Sequence, residues 1–383
     1  AGGAIMSGCV RYEQILAEPL SPILKKRIEH LRCVHDVQHL AILPDVHISG
    51  KVCVGMALGT SSMIYPEAVG ADIGCGFSAV PLKMSPDYSP TLSKRRALLS
   101  ALCDAIAILS TEASAAQTQE ESQCLAQPLS STFLEKAKRR EGIGQLGTLG
   151  RGNHFLELQI DQHQQLWLTV HSGSRHMGQV ITQRALRFAE TQKGGLLGLE
   201  ADSEAGQDYL HDLEWAIRYA ALNRHRLLRT ASLVLHERWG GRTDWEHLFS
   251  CQHNHIVREE HHWQQLWVHR KGTHATHAGV HSMIAGSMGT PSVHVVGRGD
   301  AKALCSSAHG AGRRLHRTDA RKRISPQRLE QQMKGVVFRA QRNRRLCEEA
   351  PEAYKDVLKV VRAQKRQVKV LRTLHPLVNY KGL

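Results

Sequence analysis

The chain reads as an α+β fold in one domain, and three features of its 383 residues carry that expectation. Short apolar runs ending in glycine-punctuated turns, such as those before His47, His171 and His269, have the length and bounding residues of strands. Helical patterns lie among them, the longest from Gln207 to Glu237 with Leu210, Leu213, Ile217, Ala220 and Ala221 on one face. No internal repeat or Pro/Gly/Ser linker divides the chain. Its candidate ligands run from Asp45 to Lys381, so one site must gather nearly the whole length.

Composition narrows the class. Nine cysteines, an odd number without a repeating framework, fit the reduced thiols of a cytoplasmic protein rather than a disulfide scaffold. No apolar run is long enough to span a bilayer, so no membrane partner is expected. The opening AGGAIMSG lacks a leader's charged start and long apolar core, and residues 1–8 read as a remnant outside the fold. A net charge of +15, from 50 Lys+Arg against 35 Asp+Glu, calls for a polyanionic partner, most simply nucleic acid.

Taken in order, Arg11 to Leu31 reads as a helical opening. The run HLAILPDVH then delivers Asp45 and His47, two residues apart and so on one side of a strand end. In PEAVGADIGCGFSAV, Asp72 and Cys75 sit three residues apart on a glycine turn, where both can bind one cation or the thiolate can bridge two. Arg96 to Ile108 is helical, and the polar stretch Thr111 to Ser131 reads as a surface excursion.

GIGQLGTLGRGNHFLEL places five glycines before Asn153, His154, Phe155 and Glu157. It lacks the Gly-Lys-Ser/Thr ending of a Walker loop and the following helix of a Rossmann turn. LWLTVHSGSRHMG brings His171 out on a strand and follows it with Arg175 in a small turn. On the longest helix, the face with Arg224, Arg226 and Arg229 reads as solvated. CQHNHIVREEHH sets His253 and Asn254 before a helical stretch, LWVHRKG sets Lys271 after a strand, and AGSMGTPSVHVVG supplies Ser287 in a turn.

SSAHGAGRRLHR is the hub. Gly310, Ala311 and Gly312 let backbone N–H groups approach an anion, Arg313 and Arg317 can fork onto phosphate oxygens, and His309 can attack phosphorus. In the tail, Ser325 and Pro326 make a helix start, Gly335 ends that helix, and Lys381 reads by position as an idle terminal lysine.

Together Asp72, Cys75, His154, His171 and His253 form a two-metal donor set with the sulfur between the ions. Mixed N, O and S donors suit manganese, zinc, iron or cobalt, and donor type does not choose among them. Such a pair suits phosphoryl transfer, with Arg175, Lys271, Arg313 and Arg317 left to bind phosphates.

The motifs LPDVH, VGADIGCG, LGTLGRGNHFLE, HSGSR, His253-Asn254, HRKG, GSMGT, SSAHGAGR, YKDV and a near-terminal KG resemble, in the same order, those of the RtcB family of GTP-dependent RNA ligases. The resemblance spans residues 40–383 and implies a β-sheet core with surrounding helices and a central metal and nucleotide cleft. It implies that His309 is guanylylated by GTP and that Asp45 orients its ring. GMP then passes to an RNA 3′-phosphate made from a 2′,3′-cyclic phosphate, and a 5′-hydroxyl displaces it. Two Mn2+ ions are implied, one on Asp72 and His154, the other on His171 and His253, with Cys75 shared.

The nucleotide pocket implied by the same match holds Asn153, Phe155, Glu157, Asn254, Ser287, Ala311, Gly312, Tyr354 and Lys381, which overturns the idle reading of Lys381. Arg175, Lys271, Arg313 and Arg317 match positions that receive RNA phosphate. Implied partners are broken tRNA or rRNA ends, GTP and an activating protein such as archease. The chain departs from the family at Thr273-His274-Ala275, at Ala285 where proline is usual, and at His316, which bears on which RNA ends are accepted. Two other readings of the residues stand beside this one. They are a binuclear phosphoesterase that opens cyclic phosphates without ligating, and an RNA-binding protein without catalysis.

Overall fold

Residues 10–85, 88–112, 117–339 and 344–382 are described in this computed structural model, so the expectation for residues 1–8 falls outside the described residues. The strand Leu166–Ser172 shows how the larger, nine-stranded sheet is built. Leu166, Leu168 and Val170 point to one face and pack with Leu227, Leu228 and Ala231 of the helix Glu204–Trp239. Alternation sends Trp167, Thr169 and His171 to the other face, which is buried as well, so each polar group there needs a partner.

Phe155–Asp161 and Gly76–Lys83 flank that strand antiparallel, and Val368–Lys381 pairs on the outer side of Phe155–Asp161. The register sets Phe77, His171, Phe155 and Lys381 in one row across the sheet, with Ala79, Thr169, Glu157 and Asn379 in the next. Residues from distant parts of the sequence thus reach one place through hydrogen-bond register alone.

The five-stranded sheet supplies the opposite wall. Val37–Ser49 and Val52–Thr60 pair antiparallel, with the register shifting between Ile42 and His47. Gly55, at φ +83°, faces that bulge, and a Cβ on it would stand 2.6 Å from Asp45 Oδ1. Only glycine lets the bulge turn the carboxylate inward. Gln264–Lys271 joins Val52–Thr60, Asn254–His261 joins Gln264–Lys271, and a short ladder of Thr273–Ala275 with Ser306–Ala308 leads into His309.

The α+β class is as expected, and several local readings are corrected. Arg11–Gln14 is a strand parallel to Val37–Ser49, and the helix starts only at Pro22, where Ser21 caps it. The segment after His253 is the strand Asn254–His261, because its backbone pairs along its whole length with Gln264–Lys271. Lys271 is the last residue of that partner rather than part of a following turn. Within Thr111 to Ser131, residues 113–116 lie outside the described residues, but Gln119–Ala126 is a capped helix whose Glu121 is buried.

Glu121 takes Arg226 and Arg229, so that face of the long helix is not simply solvated. Arg224 departs furthest from the expectation. It is 1% exposed and donates to Gly74 O at 2.7 Å, Ser172 O at 3.1 Å and Ser78 Oγ at 3.2 Å. Where strands end in turns their carbonyls lose ladder partners, and a guanidinium's five N–H groups replace them. The neighbouring Asn223 does the same for the glycine loop, accepting from Gly147 N at 2.7 Å and donating to Thr148 O at 3.1 Å. Among the described residues no helix is long and apolar enough to cross a membrane.

Candidate active site

Five donors from four segments converge between the two sheets. Cys75 Sγ lies 3.2 Å from His171 Nε2 and 3.4 Å from His154 Nε2. His171 Nε2 is 2.9 Å from His253 Nε2, and His154 Nε2 is 2.8 Å from Asp72 Oδ2. Two triads result, Cys75–His171–His253 and Asp72–Cys75–His154, and the sulfur belongs to both.

Proton positions follow from the partners behind the rings. Asn254 donates its Nδ2 to Asp72 O at 3.0 Å and accepts Gly272 N–H at Oδ1, which fixes its amide orientation. His253 Nδ1, 3.2 Å from that Oδ1, therefore carries a proton. His171 Nδ1 faces the Asn153 carbonyl at 3.1 Å and carries one too. Both Nε2 atoms are left as lone pairs pointing at each other across 2.9 Å. A cation relieves that repulsion, and backbone or amide acceptors behind ligand imidazoles are the usual support of a metal site.

Burial acts in the same direction. It raises the Cys75 thiol well above its ordinary range, with Asp72 adding to the effect, and pushes the His171 and His253 imidazolium forms down. A thiolate here needs a cation beside it. The donor set thus fits metal ions.

His309 stands next to this cluster, its ring centroid 4.5 Å from that of His253. Its Nδ1 is 2.8 Å from Asp45 Oδ2, and its backbone N–H donates to the same oxygen at 3.2 Å. Asp45 is fully buried, and Lys355 brackets it by donating to Pro44 O at 3.2 Å and Val46 O at 2.6 Å. The carboxylate holds the proton on Nδ1, which leaves Nε2 as a lone pair available for attack. Ala285 locks the following turn, giving its N–H to His309 O at 3.0 Å and taking Ala311 N–H at 2.8 Å.

A cleft of about 800 Å³ opens over both groups, lined among others by Asn153, Phe155, Asn254, Ser287, Ala311 and Gly312. Lys271 also lines it, donating to Glu67 O at 3.2 Å, and burial lowers its ammonium from the ordinary range. On the same cleft Arg313, Arg317, Tyr354 and Lys381 meet on one carboxylate, Glu349, which sequence reasoning missed. EEAPEAYKDV contains three glutamates, and nothing in a single sequence separates Glu349 from Glu348 or Glu352. Burial alone would raise the Glu349 carboxyl, but Lys381, Arg317 and Arg313 outweigh it and hold it down to about 2.

Two expected contact residues sit behind the cleft wall. Glu157 is buried, its oxygens taking Asn379 Nδ2 and Gln159 Nε2, each at 2.6 Å, and burial pushes its carboxyl up to about 7 despite those bonds and Lys381. Arg175 is 9% exposed and places Nη1 2.8 Å from His154 Nδ1, where it competes with the Leu149 carbonyl at 3.1 Å. Of the departures, Thr273 and His274 are fully buried behind His253, whereas Ala285 and His316 line the cleft.

A family profile described as tRNA-splicing ligase RtcB matches residues 27–131 and 109–382. The chain belongs to the RtcB family. It is 30% identical to the RNA-splicing ligase RtcB of Escherichia coli K12 across 90% of each chain. It is also 26% identical to the tRNA-splicing ligase RtcB of Methanococcus maripaludis, covering 91% of this chain and 89% of that one. The tRNA-splicing ligase RtcB of Pyrobaculum aerophilum is 33% identical over 61% of this chain and 58% of its own. In this RtcB-family chain the donor cluster, His309 and the Glu349 group all border one cleft.

Proposed function

We propose that this protein is an RNA ligase that joins 2′,3′-cyclic phosphate or 3′-phosphate ends to 5′-hydroxyl ends through a His309–GMP intermediate, in RNA repair or tRNA splicing. The observation that carries the reading is the 2.8 Å bond between His309 and buried Asp45, which aims a lone-pair nitrogen beside a five-donor cluster. A phosphoesterase needs the donors but has no use for an oriented imidazole nucleophile beside them. The elements that build the site run from Val37–Ser49 to Val368–Lys381, which supports one catalytic domain.

Asp72 and His154 would hold one Mn2+ ion, His171 and His253 the other, and Cys75 both. Bound there, the metal ions would neutralise charge on the phosphates during transfer. Asp45 keeps the His309 proton on Nδ1, so Nε2 attacks the α-phosphorus of GTP and pyrophosphate leaves. Phe155, Tyr354 and Lys381 receive the nucleotide beside Asn153, Asn254, Ser287, Ala311 and Gly312, with Glu157 bracing the pocket from behind. Lys271, Arg313 and Arg317 face RNA phosphates, and Arg175 serves that role once it leaves His154. Water first opens a 2′,3′-cyclic phosphate to the 3′-phosphate. An oxygen of that phosphate then displaces the histidine at phosphorus, and a 5′-hydroxyl oxygen attacks the activated 3′-phosphate so that GMP leaves. The site requires RNA and GTP as partners, and a protein of the archease kind is the candidate activator.

The test uses two RNA fragments, one ending in a 2′,3′-cyclic phosphate and the other starting with a 5′-hydroxyl, with GTP and Mn2+. A joined product that requires both additions is expected. Opening of the cyclic phosphate without joining would assign the protein to the phosphoesterases instead.

A further inference from the structure

Glu349 has a division of labour between its two oxygens. Oε1 takes Arg313 Nη1 at 3.2 Å and Arg317 Nη1. Oε2 takes Tyr354 Oη at 2.6 Å and Lys381 Nζ at 3.1 Å. One oxygen therefore serves the two arginines proposed for RNA phosphate, and the other serves the two side chains proposed for the nucleotide.

The arrangement is well braced. Arg313 lies over the Tyr354 ring, its guanidinium carbon 4.9 Å from the centroid, and donates to Tyr354 Oη at 3.0 Å and Glu348 O at 2.6 Å. Lys381 Nζ is 5.6 Å from the Phe155 centroid, on the row that runs through Phe155 to His171 and Phe77. Glu349 itself is 3% exposed. Arg313, Arg317 and Lys381 bring three positive charges to it. Glu348 answers part of the excess, pairing with Arg317 at 3.5 Å and Arg321 at 2.9 Å. The group stays net positive, as a site awaiting an anion must.

We propose that Glu349 is a positioning residue that couples the nucleotide pocket to the RNA-phosphate arginines. The assignment rests on the ligase reading above. Its Oε1 restrains Arg313 and Arg317 as their counterion while its Oε2 orients Tyr354 and Lys381. A nucleotide that engages Tyr354 or Lys381 draws them from Oε2, shifts the carboxylate and loosens its hold on the arginines. Coupling between two sites is reciprocal, so RNA phosphate on the arginines in turn favours nucleotide binding.

Opposite signs separate this role from a merely structural one. Glu349→Gln keeps the volume and removes the charge. Self-guanylylation with α-labelled GTP, followed without RNA, is expected to need roughly 10-fold more GTP for half-saturation. Binding of a 3′-phosphorylated RNA oligonucleotide without nucleotide is expected to tighten about 3-fold at low salt. Its salt slope should steepen by about 1.4, the value for two freed cations on a single strand. A parallel fall in both affinities, or no change in either, overturns the assignment.

Wild-type protein gives a second measurement that holds even if the variant unfolds. GMP at saturation should tighten binding of the same RNA at least about 3-fold, and an unchanged RNA affinity overturns the coupling. Should wild-type protein neither take label from GTP nor bind the RNA, the ligase reading fails and the assignment with it. Should it do both while the coupling is absent, only the role of Glu349 falls.

Discussion

The two ends of the cleft solve opposite electrostatic problems. At one end Asp72, Cys75, His154, His171 and His253 crowd lone pairs together, with the Nε2 atoms of His171 and His253 2.9 Å apart. At the other, Arg313, Arg317 and Lys381 share Glu349, an internal counterion already in place. The first group has the donors for an added cation, while the second already holds its counterion. His309 stands beside the donor group, its ring 4.5 Å from that of His253, and takes its orientation from Asp45.

That contrast is open to direct attack, and the largest effects belong to the donor end. Cys75→Ala removes the atom common to both triads, so manganese binding, followed by titration of the metal-stripped protein, should weaken at least about 100-fold. The same titration on Glu349→Gln should be unchanged. Equal losses in the two variants would mean that the ends are not separable.

Asp45→Asn tests the independence of the nucleophile. An amide cannot hold the proton on Nδ1 as a carboxylate does, and the rate of self-guanylylation should fall about 100- to 1000-fold. Half-saturating GTP and manganese content should stay as they are. A change confined to GTP affinity would place Asp45 in the binding pocket instead.

Arg224→Met probes the scaffold behind the donors. Removing the guanidinium leaves the Gly74 and Ser172 carbonyls without that partner, at a cost of about 2–4 kcal/mol in stability by thermal or denaturant unfolding. Metal affinity should drop as well, because Gly74 and Ser172 adjoin Cys75 and His171. Stability lost without any effect on metal would show that the brace and the donors are uncoupled.

A pH-dependent effect is expected at Glu157. Its carboxyl is raised to about 7, so the folded state binds more protons than the unfolded chain between the ordinary carboxylate range and pH 7. Its contribution to stability falls as pH rises through that window and stays low above it. Glu157→Gln should therefore gain melting temperature relative to wild type on going from pH 5 to pH 8. A difference that does not vary with pH would show that the carboxyl is not perturbed.

The sequence made the donor end readable because its ligands sit in short, glycine-rich strand ends whose residue types have few other uses. Asp72, Cys75, His154, His171 and His253 lie together as two triads sharing one sulfur. The cation end was half readable. Its arginines are legible in the residues and Tyr354 and Lys381 only through the family resemblance, but the carboxylate that binds them is not, since Glu349 gains its role only from register and burial. Arg224 was misread for a related reason. Helical periodicity treats a charge as a mark of the solvated face, whereas here carbonyls from strands more than fifty residues away in sequence make a buried guanidinium the better-bonded choice. Arg175 likewise reads as an open phosphate contact, yet it is buried and lies against His154.

The central claim is that the imidazole at position 309 carries guanylate. Wild-type protein incubated with Mn2+ and α-labelled GTP, then digested and mapped by mass spectrometry, tests it most directly. One acid-labile, alkali-stable label on His309, absent from His309→Ala, is the expected result. No label, or the same label retained by the variant on another residue, would contradict the account.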